Sequence, residues 1–441
     1  MKTSALFQNT IFSFFLKRAR TVKYCAVFAV YVLSAIGAWG TDYTWTGGGT
    51  DSNWTTENNW DISGYPRTGD TAIFTGNTEV TAVLDGDITI STIKTGTEGA
   101  SKVTIDTNGY TLTTTNFTVN AGATGSYNTT TVITGNGTLT VSGTATVSSG
   151  AEMNVNAANF SGTVTNNRTI TCGDGAVTFG ETTNSGRITC STTTTVFNGT
   201  VTVLTGGTIT GSTGTAEFKS TVTNNGTITG DSGAIKFGGI VTNDGEISAS
   251  SGEITFSGTY GSYTTATAKL TASSGNTYFS SNADFSYTTF TATGGTVLFN
   301  STATTGQKLI LANNTVSFNE ITIQTSAGGF TAEGTETGNL SAKKLTLAST
   351  NAGAVFNVPV TAETIENTGG SFNITFNAAT KVSDITNPVI FGTTGMLTLG
   401  NDTTDTLTFA GGITHTQGNT TLCGKIITNS AEVTLSDNTN I

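Results

Sequence analysis

Residues 218–237 read Phe218-Lys219-Ser220-Thr221-Val222-Thr223-Asn224-Asn225-Gly226-Thr227-Ile228-Thr229-Gly230-Asp231-Ser232-Gly233-Ala234-Ile235-Lys236-Phe237. The positions that follow repeat the plan, with Val241-Thr242-Asn243-Asp244-Gly245, then Ile247, Ala249, Gly252, Ile254 and Phe256. Working outward, Phe recurs at 160, 179, 197, 218, 237 and 256, in steps of 19, 18, 21, 19 and 19. Ile170, Ile188, Ile209, Ile228 and Ile247 each stand nine residues before the next Phe. Small residues stand seven before it: Cys172, Cys190, Gly211, Gly230 and Ala249. Four before it come Gly175, Gly214, Gly233 and Gly252, with Thr193 in the departing copy.

Each segment between turn signals is three to five residues long and alternates apolar with polar, the period of a strand. Val222, Ile228, Ile235 and Phe237 would face one interior, with the intervening Thr facing water. One such unit cannot bury its apolar face alone. Stacked copies can, and their backbones then pair from rung to rung. The fold class expected is all-β, a parallel β-helix (β-solenoid) with rungs of about 19 residues. Like residues would lie above each other at about 4.8 Å. Phe and Ile would form apolar ladders, and Asn a hydrogen-bonded corner ladder. Thr would add no like-charge repulsion, which accounts for a chain only 11% charged.

Composition agrees. The 441 residues include 101 Thr, 55 Gly and 3 Pro, with hydrophobic residues at 35%. Strand and turn formers dominate, and helix formers are scarce. The low charge argues against disorder, and the lack of a Gly period argues against collagen. Segments 85–158 and 257–441 keep strand-sized alternation without a clean period, as in Ile105-Asp106-Thr107-Asn108-Gly109 and Phe318-Asn319-Glu320-Ile321-Thr322-Ile323. One solenoid over 85–441, clearest at 160–256, is therefore expected.

Residues 1–40 read as a signal peptide. Lys17, Arg18, Arg20 and Lys23 precede an apolar run from Tyr24 to Ala38, and Ala38 and Gly40 suit cleavage before Thr41. A run of about 15 residues is short for a membrane span of about 20. Five of the 18 Lys and Arg lie in 1–40 and none of the 29 Asp and Glu do, leaving a net charge of −16 beyond it. A phosphate backbone repels such a surface, so no nucleic-acid partner is expected.

Cys172 and Cys190 occupy equivalent positions one rung apart, where Cα atoms about 5 Å apart lie within disulfide range. Two readings stand: a disulfide, or two small thiols filling a narrow inward column. Cys423 reads as a small inward residue. Trp45, Trp54 and Trp60 cluster in 41–84, read as an N-terminal cap. They either seal the open end of the solenoid or offer flat rings to a sugar. At the other end the chain stops at Ile441 just after an ordinary strand signal. The expectation is either a truncated reading frame or an edge available for self-association.

Candidate catalytic groups are sparse. Asp85 and Asp87 can share a strand face, Asp402 and Asp405 lie in a polar turn, and His415 is the single His. Glycoside hydrolysis needs two converging carboxylates, and these read better as loop charge. No metal-ligand spacing, clustered calcium-type acidic spacing or nucleophile triad is present, so no cofactor or metal is expected.

The run Tyr43-Thr44-Trp45-Thr46-Gly47-Gly48, with Trp54, Asn59-Trp60, Pro66 and Gly69-Asp70-Thr71-Ala72-Ile73-Phe74, resembles the start of bacterial autotransporter passengers and related β-strand-repeat surface proteins. The Thr-Asn-x-Gly-x-Ile rungs are similar to their repeats. The resemblance implies a right-handed β-helix, secreted or displayed on the outer membrane, often adhesive. The chain departs from it in lacking a C-terminal translocator barrel, so membrane attachment would need a missing anchor or translocator. The expected role is a structural or adhesive surface protein, not an enzyme, with surface glycans or proteins as partners. The alternatives are a polysaccharide-active β-helix enzyme, lyase or hydrolase, and an inert segment of a larger autotransporter.

Overall fold

The computed structural model describes residues 40–75, 79–96, 102–121, 129–263, 268–335, 337–348, 352–436 and 438–440. The segment read as a signal peptide lies, but for Gly40, outside the described residues. The described chain is a right-handed parallel β-solenoid. Every ladder between its strands is parallel and joins a residue to its counterpart one rung on.

Each rung has three faces. In the clearest region they are Ala158–Phe160, Thr163–Asn166 and Thr169–Cys172. The first face stacks Phe160, Phe179, Phe197, Phe218, Phe237, Phe256, Phe279 and Phe299. Neighbouring rings are parallel, with centroids from 4.6 to 5.4 Å apart. The second face stacks Val164, Thr182, Val201, Val222 and Val241 inward, and the third stacks Ile170, Ile188, Ile209, Ile228 and Ile247. These residues form one continuous buried core.

The rung length is a correction. Steps of 19 hold from Phe218 to Phe237 and on to Phe256, but Phe256 pairs with Phe279 and Ile88 with Leu112. The mean rung is about 21 residues. Extra residues fall in the corners, where a loop can lengthen without disturbing the strand register. Conversely, corners that repeat tightly are held by glycine. A Cβ on Gly233 would collide with the carbonyl oxygen of Gly214, and one on Gly252 with that of Gly233.

The smooth corner also changes along the axis. Ile88–Thr95 and Leu112–Val119 are single strands spanning the first and second faces. Thr315–Ile323, Asn339–Leu347 and Val360–Asn367 instead span the third and first. The core continues through the change, with the Phe290 ring 4.9 Å from that of Phe318.

Thr does not face only water, as the alternation suggested. Thr182 sits in the inward column between Val164 and Val201, and Thr195 between Val177 and Ala216. Thr is a near-isostere of Val, and here its hydroxyl is satisfied locally. Thr182 donates to the Gly180 carbonyl at 3.1 Å, and the Thr195 hydroxyl accepts from the Ser191 N–H at 2.8 Å.

Candidate functional site

The described residues of 41–84 join the same ladders as the rest of the described chain. Asp42–Thr44 and Thr71–Phe74 enter the second face and Val80–Val83 the third. The Trp residues sit where these rungs begin. Trp45 and Trp60 form an antiparallel bridge. Their ring centroids are 5.0 Å apart and nearly perpendicular. Trp54 lies 5.2 Å from Trp60, and all three rings lie within 5.9 Å of Phe74. Trp60 Nε1 donates to the Trp54 carbonyl at 2.8 Å. All three side chains are buried, so no ring presents a face to a sugar.

The loop around them is tied by a residue that composition did not single out. Buried Asn59 donates through Nδ2 to the carbonyls of Asp51 and Asn53, at 3.1 and 2.9 Å, and accepts from the Gly49 N–H at 2.9 Å. The only signal for it was its place beside Trp60.

The corner Asn residues form the expected ladder in two pieces. Asn166 donates to Asn184, and Asn224 to Asn243, each at 2.7 Å. Each of these four Asn also donates to a carbonyl that opens the third face one rung on, as from Asn224 to Glu246 at 3.0 Å. Val203 takes the Asn position between the pieces. Cys172 and Cys190 follow the paired residues Thr171 and Thr189, and both are buried free thiols. Burial pushes Cys190 up to about 12 and Cys172 well above its ordinary value.

The candidate catalytic groups are engaged one by one in local structure. Asp85 accepts from the Thr55 hydroxyl and N–H, while Asp87 accepts from the Thr111 N–H at 2.8 Å. Asp402 accepts from the Thr404 N–H and hydroxyl, which hold its carboxyl below the usual range. Asp405 accepts from the N–H groups of Asn401 and Asp402. His415 is buried, with Nε2 3.2 Å from the Thr393 carbonyl and Nδ1 2.9 Å from the Thr420 hydroxyl. A carbonyl only accepts, so Nε2 carries the proton and Nδ1 accepts from Thr420. Among the described residues no group of three or more His, Cys, Asp or Glu could hold a metal ion.

What the rungs do present outward is Thr. On the second face Thr146, Thr165, Thr183, Thr202, Thr223 and Thr242 form one unbroken column. Two residues back in each strand runs a more exposed column of Thr144, Thr163, Glu181, Thr200, Thr221 and Ile240. The third face carries a comparable array, but Arg187, Glu246 and Lys269 interrupt it. A shallow corner groove of about 450 Å³, lined by Thr205, Asn225, Asp244, Glu246 and Lys269 among others, lies between the two faces.

Comparison with protein-family models, with curated proteins and with solved structures finds no match. The parallel β-solenoid architecture is consistent with the general class of repeat and adhesin-like surface proteins.

Proposed function

We propose that this chain is a secreted, surface-displayed structural and adhesive β-solenoid. The observation that supports this reading best is a long rung stack whose second face, from Thr144 to Thr242, carries a regular array of hydroxyls broken only by Glu181 and Ile240. Such a stack spans distance and offers many equivalent weak contacts, which suits adhesion by avidity. The basic and apolar pattern of residues 1–40 supports export with cleavage before Thr41. In this reading the buried Trp cluster closes the N-terminal end of the core, and the chain needs no catalytic group.

The test is made on cells that produce the protein. They are fractionated, the intact mass is measured in envelope and medium, and whole cells are treated with protease. A species beginning at Thr41, outside the cell or cleaved on intact cells, supports the reading. An uncleaved cytosolic species sinks it. Adhesion of producing and non-producing cells to a common surface then tests the adhesive half, and equal adhesion would reject it.

A further inference from the structure

We infer that the second face, from Thr144 to Thr242, is a docking surface for an extended, uncharged polysaccharide. The inference rests on the adhesive reading above and names its partner class.

Three observations carry it. First, the hydroxyls are unengaged. None of the ten outward Thr side chains from Thr144 to Thr242 hydrogen-bonds to another described residue, unlike inward Thr182 or outward Thr178 on the first face, which donates to Asn159 at 2.6 Å. Ten donor–acceptor groups are thus held in place by the strands beneath them, with no role in the fold beyond strand preference. Second, the array is neutral in an acidic protein. Glu181 is its one charged position in six rungs, whereas the chain beyond residue 40 carries −16. An anionic polymer is repelled by the whole molecule, and a cationic one finds no partner on this face. A protein partner usually needs buried aromatic or Arg anchors, and the array offers only the exposed Ile240. Third, the array is periodic in two directions. Rungs repeat at about 4.8 Å, and outward neighbours along a strand lie about 6.6–6.8 Å apart. Six rungs therefore span about 24 Å along the axis. The length of a sugar residue in an extended chain is close to one rung, so successive residues meet successive hydroxyls. Thr also pairs a methyl with its hydroxyl, matching the mixed C–H and O–H faces of a pyranose.

Each contact is weak because it replaces a hydrogen bond to water. Only a polymer that engages many rungs at once would be held. This accounts for a flat face without a pocket.

The test is retention of the purified full-length secreted chain on microcrystalline cellulose, chitin and an insoluble β-1,3-glucan. Alginate beads serve as the anionic control, and uptake into slowly growing ice is measured alongside. The expected result is retention on at least one neutral polymer, little changed by salt, and none on alginate. Thr183→Val with Thr223→Val removes two hydroxyls while keeping shape and strand preference, and should weaken retention about tenfold by loss of two hydrogen bonds. The same change at Thr189 and Thr229 on the third face should leave it unaltered. Retention on no neutral polymer, retention that the second-face variant does not lower, or uptake into ice alone overturns the inference. Failure here leaves the fractionation and whole-cell adhesion results standing, so the two readings fail separately.

Discussion

Phe197 and Phe218 lie one rung apart with ring centroids 4.6 Å from each other and planes 3° from parallel. They stand in the middle of the eight-ring first-face stack, and both are fully buried. Parallel rings at this separation fall within the range, about 4.5–7 Å between centroids, in which aromatic pairs favour offset stacking. Here the backbone dictates the arrangement, because parallel strands set identical residues one strand spacing apart.

Phe218→Ala should therefore cost about 3–5 kcal/mol, the range for a large buried aromatic whose cavity cannot collapse. Phe218→Leu should cost less, since most of the apolar volume stays. Denaturant unfolding reads the size of the loss. Hydrogen exchange should show lost protection spreading to the rungs of Phe197 and Phe237, because each rung is stabilised by its neighbours. A loss confined to the Phe218 strand would count against that coupling.

The Asn ladder makes a sharper comparison. Asn224→Val copies what Val203 does at the break in the column, yet it removes the donor to Asn243. It leaves the Asn243 amide oxygen unpaired, withdraws a donor from the Glu246 carbonyl and removes the acceptor of the Gly226 N–H, so the expected cost is at least that of one unpaired buried group, about 1–3 kcal/mol. Asn224→Asp should cost more at neutral pH, because it sets a carboxylate against the oxygens of Asn243 and Glu246 that accepted from Asn224. Part of that excess should vanish as pH falls and the carboxyl takes up a proton. Thermal unfolding of both variants at neutral and acid pH checks the order, and equal stabilities would refute it.

His415 should make its end of the solenoid acid-sensitive. Burial lowers its pKa from the ordinary 6.5. The unfolded chain then binds the proton more readily than the folded one, so stability rises with pH across the interval between the two values. The contribution is complete above about pH 6.5 and is lost as pH falls below it. Hydrogen exchange, corrected for its intrinsic pH dependence, should show peptides around Thr393, His415 and Thr420 opening first. Those around Phe218 should hold. His415→Gln can still donate to a carbonyl and accept from Thr420, and should flatten the profile.

The thiols should separate by burial. Cys423 is half-buried, whereas Cys172 and Cys190 are enclosed and their thiolates disfavoured. A maleimide should label Cys423 in the native protein, and the other two only after denaturation. Labelling of all three in denaturant without reductant is the outcome expected of free thiols. A requirement for reductant would mean that the pair is bonded in the protein.

The sequence by itself determined the rung. The Phe, Ile and small-residue columns from 160 to 256 repeat in phase, and a short unit with one apolar side can be buried only by stacking on its own copies. That logic is local, so it reads from one strand to the next without coordinates. The tertiary structure decided what depends on a neighbour a rung away. It lengthened the mean rung, because corner insertions break the period in the sequence but not the register in the sheet. It moved the rounded corner from Ile88–Thr95 to Thr315–Ile323, a change invisible in strands that alternate alike. It buried Trp45, Trp54 and Trp60 against Phe74, where composition allowed either a sealed core or exposed rings. It also sorted the Thr residues. Thr182 and Thr202 sit in similar sequence settings, yet one hydroxyl turns inward to a carbonyl and the other stands outward unengaged. A hydroxyl's partner is set by the face its position takes in the rung and by the turn beside it.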